Sequence, residues 1–437
     1  MIALPPDIER IVDAVYPLPR QAAAAQLAAL ERPLFFLGTL EQLAALLLFY
    51  YAGGAALLRT RLQRTLSATW SVAASFAVCL VLGITLIEAP VSWLAGFALL
   101  HRFGLSREAG LTWLGDFALE TALSCVVAAF LAGLLFAAMG RWKRRWPFVA
   151  AIAAAPLIVF GNAIYPVYVA PLFNHYTALP PSRLTHAILS LASHEGINAS
   201  AVYEYDMSRQ TTTDNAYVAG IGRTERIAVG DNLLRDLRPD EILYVLAHEM
   251  GHYKLGHLWI GTLYGWIGCA LAIAVVAWLG DLLAGRCASV CALNDPAALA
   301  LIAAILSAYA LLGMPIGNRL SRGIESAADL YAATHTHLGQ AGIRAFARLG
   351  ANDLTPLHPQ AAVVWFFYTH PPLDERIMTA ARYAAHAADE SLFRPPCLLR
   401  AQDRCADHHT SSSILAKARS RAPRRSITLS MRAQWSQ

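Results

Sequence analysis

The chain has 437 residues, 56% of them hydrophobic and only 15% charged, a balance that excludes an ordinary soluble protein and points to a membrane protein. Its net charge of +5 is modest and its aromatic residues sit mostly inside apolar runs, which leaves no basic, aromatic-interleaved face for nucleic acid. The seven cysteines form no CxxC pair and no disulfide framework; only Cys287 and Cys291 share a short loop, where an oxidising compartment would join them.

Residues 1–32 carry PPDIERIVDAVYPLPR, with acids and prolines where a cleaved signal needs a charged start and an unbroken apolar run, so they read as an N-terminal segment. The first apolar run covers 33–58, interrupted by Glu41 and Gln42; a helix starting near Leu43 would keep that carboxylate out of hydrocarbon. The basic loop RTRLQR leads to a second span at 66–87. Residues 91–104, where Trp93, Phe97 and Leu100 mix with His101 and Arg102, suit the membrane interface better than a crossing. Runs at 121–139 and 147–171 give a third and fourth span around the stop sequence GRWKRRW, making 33–173 a four-span region. Asn162 in the last of these reads as a polar link between helices.

From Asn174 the composition becomes that of a soluble domain. Residues 182–195 read as an amphipathic helix ending at Gly196, AVYEYD (201–206) as a strand, and AYVAGI and RIAVG as a hairpin around GRTE. Then comes LAHEMGHYKLGH, 246–257. His248 and His252 lie four apart and project from one helix face with Glu249 beside them. Two imidazoles on a rigid helix are half of a tetrahedral zinc site, and the glutamate is placed to take a proton from the attacking water. Pro239 suits the first helical position, and Asp240 and Glu241 sit at the positive end of the helix dipole. A strand next to the metal offers an edge on which an extended peptide can add backbone hydrogen bonds; Ala216, Tyr217 and Val218 alternate faces there.

Two more spans, 258–280 and 296–317, return the chain to the side it left. The third ligand is then open among Glu325, His257, His335 and His337, with the helical context NRLSRGIESAADLYA and Asp329 four residues on favouring Glu325. Residues 174–395 thus read as one metallopeptidase domain interrupted by two spans. Residues 396–437 form a basic tail that reads as disordered, with six Lys or Arg and no acid from His408 onward.

These residues together resemble the zinc-dependent CAAX prenyl protease family of integral-membrane metallopeptidases. The likeness runs from about residue 35 to 385, through HRFGLS and WLGD, APLFNHYTAL, NAYVAGIGRTERIAVGDNLL, VLAHEMGHYKLGH, SRGIESAADLYA and THPPLDERI in that order. It implies a mainly α, polytopic transmembrane bundle carrying a gluzincin-like zinc metallopeptidase domain with a small β-hairpin or sheet. It implies one zinc per chain on His248, His252 and Glu325, with Glu249 as base. Asn215 and the strand after it would hold the peptide backbone, and His370 and Arg376 would stand near the scissile carbonyl. Asp329 is placed to accept the second N–H of a ligand histidine. The partners expected are a peptide or protein substrate and the lipid bilayer. The family further implies seven membrane helices around a chamber, against six counted here, and a catalytic domain in the cytoplasm, here of a bacterial inner membrane. Alternative readings are a quality-control protease without CAAX preference and a scaffold or transporter with a structural zinc.

Overall fold

The structure, a computed structural model, describes residues 3–219, 226–286, 290 and 292–389. The Cys287–Cys291 pair, the turn GRTE and the tail 396–437 lie outside the described residues. Six described helices are long and apolar enough to cross a membrane: Leu18–Tyr51, Thr69–Arg102, Gly110–Arg141, Trp146–Ile164, His257–Ala284 and Pro296–Thr336. At about 1.5 Å per residue even the 19-residue helix reaches about 28 Å, close to the thickness of the hydrocarbon. Leu86, Phe148, Ile152, Trp278 and Leu312 keep 70–78% of their surface exposed, which a lipid-facing surface tolerates because lipid is as apolar as a core. Where spans meet, polar links appear: Asn162 donates to Thr262 Oγ1 at 3.3 Å and Trp266 to the Ala151 carbonyl at 2.8 Å.

Helix boundaries differ from those read in the sequence for identifiable reasons. The first spanning helix begins at Leu18, not 33 or 43, and ends at Tyr51. Its N-terminal half is held by the soluble part: Ala24 and Leu27 are buried in a core with Tyr16, Tyr244, Ala347 and Leu373, and Arg20 donates to the Ala351 carbonyl at 2.8 Å. Basic residues Arg59 and Arg61, read as a loop, close a separate helix, Gly54–Leu62. Residues 91–102, read as an interfacial segment, are continuous with the second spanning helix. They prolong that helix through a π-helical turn, Leu94–Leu99, ending at Arg102. The fourth apolar run ends its α-helix at Ile164 and continues as a π-turn and a short helix to Phe173.

The soluble part contains a four-stranded sheet: β1 (Tyr176–Ala178), β2 (Val202–Tyr205), β3 (Ala216–Ala219) and β4 (Arg226–Gly230), in the order β1-β2-β4-β3. The expected hairpin is present as the antiparallel β3–β4 pair, while β4 also runs parallel to β2. Val202, Ala216, Val218, Ile227 and Val229 bury one face against Ile242, Leu246 and Met250 of the helix Pro239–Lys254. Gly230 starts the β3–β4 ladder by donating to the Asn215 carbonyl at 2.8 Å. An added Cβ there would lie 2.5 Å from Met207 Sδ, so only glycine fits.

Just before β3, two carboxylates meet. The Asp214 amide donates to Asp353 Oδ1 at 3.0 Å, and Asn352 Nδ2 donates to Asp214 Oδ2 at 2.6 Å. Burial pushes the Asp353 carboxyl up to about 8, with the Asp214 charge adding to it; burial likewise pushes Asp214 up to about 6. The folded protein therefore keeps protons that the unfolded chain gives up near pH ~4. Stability falls as pH rises from about 4 to about 8. Asp353→Asn should flatten that slope, melting above the wild type at about pH 9 and level with it at about pH 4; parallel melting curves would exclude this origin.

Candidate metal centre

The helix Pro239–Lys254 is fixed at its start by charge. Glu241 Oε2 accepts the Arg238 amide at 3.0 Å, and the fully buried carboxylate is paired with Arg344 at 3.2 Å and Arg348 at 3.1 Å. A buried carboxylate needs such partners to remain ionised. They tie this helix to the helix Gly339–Asn352.

On its other side the helix meets Leu299–Thr336, one 38-residue helix that continues the last span into the soluble part. Gly251 permits the approach, since a Cβ there would lie 3.0 Å from the Tyr331 ring. That contact sets the site. His248 Nε2 lies 3.2 Å and His252 Nε2 3.4 Å from Glu325 Oε2, and the two Nε2 atoms are 3.1 Å apart. Donors held at about 2.0–2.1 Å from one zinc occupy tetrahedron corners about 3.3 Å apart. Glu325 Oε2 is also buried and receives no hydrogen bond among the described residues, an uncompensated oxygen of the kind a cation satisfies. The donor set therefore fits zinc.

Behind these atoms lies a second layer. His248 Nδ1 is 2.8 Å from Asp329 Oδ1, and Asp329 receives Arg376 through Nη2 at 2.7 Å and Nε at 2.9 Å. The guanidinium rests over the Phe346 ring, 4.3 Å from its centroid. Burial works against a charged His248, but Asp329 and Glu325 outweigh it and push the imidazole up to about 10. A pocket this negative holds a proton where it does not hold a metal.

His370 enters from the segment before Leu373–Asp389, with Nε2 3.3 Å from Glu325 Oε2. Burial pushes its imidazole down; Glu325 pulls the other way, and Arg376 and His248 leave it at about 4. The structure thus brings His248, Glu249, His252, Glu325, Asp329, His370 and Arg376 together, with ligand-capable atoms of the first three within 4.8 Å of one another. Arg376 is engaged with both oxygens of Asp329, which places it behind His248. His335 instead stacks on Tyr331, with ring centroids 3.8 Å apart, and His337 ends the helix in a left-handed conformation.

The strand β3 is an edge strand of the sheet and packs on the metal-bearing helix. Because Asn215 and Gly230 share a hydrogen bond, pairing alternates from there: Tyr217 faces β4, and the backbone of Ala216 and Val218 turns toward the edge. Sequence reasoning missed Tyr205. Its ring is 4% exposed, its hydroxyl has no hydrogen-bond partner among the described residues, and burial, Tyr217, Tyr176 and the nearby Glu249 charge push its pKa well above the usual phenol range. Nothing in VYEY distinguishes this tyrosine from Tyr203.

Residues 179–384 match the profile described as Peptidase family M48, and residues 21–175 match that described as CAAX prenyl protease N-terminal, five membrane helices. The Bacillus subtilis protein named uncharacterized metalloprotease YhfN is 29% identical over 83% of this chain and 85% of its own length. The Arabidopsis thaliana CAAX prenyl protease 1 homolog is 28% identical over 66% and 69%. The crystal structure of S. mikatae Ste24p superposes with a TM-score of 0.74 at 22% identity, covering 87% of this chain and 92% of that one, a likeness of fold. The two matched profiles abut with three residues between them and the HExxH helix falls inside the peptidase profile, so the chain belongs to the CAAX prenyl protease family of M48 peptidases and is a multi-span membrane metalloprotease.

Proposed function

We propose that the protein is a zinc endopeptidase in which His248, His252 and Glu325 hold the metal. The observation that carries this reading is the convergence of three donors, His248 Nε2, His252 Nε2 and Glu325 Oε2, at 3.1–3.4 Å. Three protein ligands with a carboxylate alongside describe a catalytic site, whereas a structural zinc is closed by four. Bound zinc supplies Lewis acidity toward water and toward a carbonyl oxygen. Glu249 accepts the proton of the attacking water and returns it to the departing amine. Neutral His370 donates a hydrogen bond to the oxygen that becomes charged. Arg376 acts indirectly, by holding Asp329 against His248.

Substrate lies along β3, with the edge-directed backbone of Ala216 and Val218 setting its register and with Asn215 and the Tyr217 side chain beside it. Proline at each of positions 216–219 tests this. Ala216→Pro removes an edge-directed donor and should raise KM severalfold while zinc content stays at wild type. Unchanged KM in every metal-replete proline variant would leave β3 a purely structural strand.

The purified enzyme in detergent should carry about one zinc per chain, lose peptidase activity to a chelator and regain it with zinc. We further propose CAAX-type processing, supported by the family relationship. A prenylated CAAX peptide should then be cleaved with a higher kcat/KM than the same sequence unprenylated; equal values would favour general quality-control proteolysis. The catalytic face is proposed to lie in the cytoplasm of a bacterial inner membrane, with Arg32, Arg102, Lys254, Arg319 and Arg322 flanking it. Labelling of a cysteine introduced at His186 by a membrane-impermeant thiol reagent in intact cells would contradict that orientation.

A further inference from the structure

Between the HExxH helix and the fifth span the chain has only Leu255 and Gly256. Gly256 sits at φ +65°, where a side chain would be strained, and this left-handed residue turns the chain so that the next helix begins at once with His257. The turn returns His257 onto the back of His252. The two Nδ1 atoms are 3.0 Å apart, the rings meet edge to face at 5.0 Å, and His257 is 8% exposed.

The opposite side of His252 is the one that faces the metal donors. Its Nε2 lies 3.1 Å from His248 Nε2 and 3.4 Å from Glu325 Oε2. A neutral imidazole that presents its Nε2 lone pair to a metal carries its proton on Nδ1. That proton points at His257 Nδ1. We propose that His257 is a positioning residue whose Nδ1 accepts the Nδ1–H of His252, fixing the tautomer and ring plane in which His252 offers Nε2 to the metal. This inference rests on the reading of His252 as a ligand. It also explains why His257, one of the four candidates for third ligand, is not one: it occupies the wrong edge of His252.

The two ligand histidines then differ in their support. His248 is backed by a carboxylate, Asp329, and His252 by a neutral imidazole. An anionic acceptor raises the basicity of its imidazole more than a neutral one does. His252 is accordingly the weaker donor of the pair, and its place depends on the geometry of one hydrogen bond.

The test uses the full chain in detergent with His257→Phe, which keeps ring volume and removes the acceptor, and His257→Gln, whose amide oxygen restores one. Zinc affinity is measured by competition with a chelator, the ligand field by the visible spectrum of the cobalt-substituted protein, and folding by the melting temperature of the metal-free protein. His257→Phe should lower zinc affinity about 10- to 100-fold and shift the cobalt bands; His257→Gln should recover most of both. Wild-type affinity in His257→Phe, equal losses in Phe and Gln variants, or a lowered metal-free melting temperature as the sole change would overturn the proposal. His252→Ala separates the two levels. If it keeps zinc, the ligand assignment itself fails; if it loses zinc while His257→Phe does not, only the positioning role fails.

Discussion

Glu249→Gln should retain its zinc and lose about 10²- to 10⁴-fold in kcat, the usual contribution of a positioned general base. The amide preserves the shape of the carboxylate and most of its contacts but takes no proton. Because Glu249 is 8% exposed and its neighbours include His248 and His252, isosteric replacement is the informative one. Alanine would open a cavity beside the metal and confuse loss of chemistry with loss of geometry. Zinc content by elemental analysis and turnover of a reporter peptide give the two readouts. Full activity with full metal would remove Glu249 from the reaction and end the mechanism proposed above.

The second large effect concerns the metal itself. Glu325→Gln neutralises the one anionic donor among the three, and Glu325→Ala removes it; both should bind zinc at least about 100-fold more weakly, at or beyond the upper end of losses seen for outer-shell partners. Asp329 is the companion test. Asp329→Asn keeps an acceptor near His248 Nδ1 and should lose about 10-fold, whereas Asp329→Ala also leaves the Arg376 charge buried without its bidentate partner. Measured metal affinity should therefore fall in the order wild type, Asp329→Asn, Glu325→Gln. Wild-type zinc in Glu325→Ala, with loss in His335→Ala or His337→Ala, would reassign the third ligand.

What the sequence made legible was whatever is local. His248 and His252 are one turn apart in the same helix, and each span is a largely apolar run. Glu325 is a different case. It reaches the histidines only because Gly251 lets two helices close against Tyr331, a contact between distant segments that periodicity does not report. Hydropathy also misplaced the first helix, because residues 18–32 are helical through packing on Tyr16, Tyr244 and Leu373 and not through lipid. The three-residue strand β1 is too short for any alternation to register, and the parallel β2–β4 pairing follows from tertiary contacts. His257 was legible only as one of four candidate ligands, because its place behind His252 depends on the left-handed turn at Gly256.

The continuous helix Leu299–Thr336 makes the bilayer a participant in the geometry of the metal site. At about 1.5 Å per residue it is a rod of about 57 Å, nearly twice the hydrocarbon thickness, with Glu325 and Asp329 on the arm that emerges. A spanning helix answers a thinner or thicker membrane by tilting. Tilt about a point inside the membrane swings the far arm, and with it the oxygen that faces both histidines. The last span and the carboxylate that faces both histidines are therefore parts of one helix, so that the anchoring of the span and the placement of Glu325 are mechanically linked.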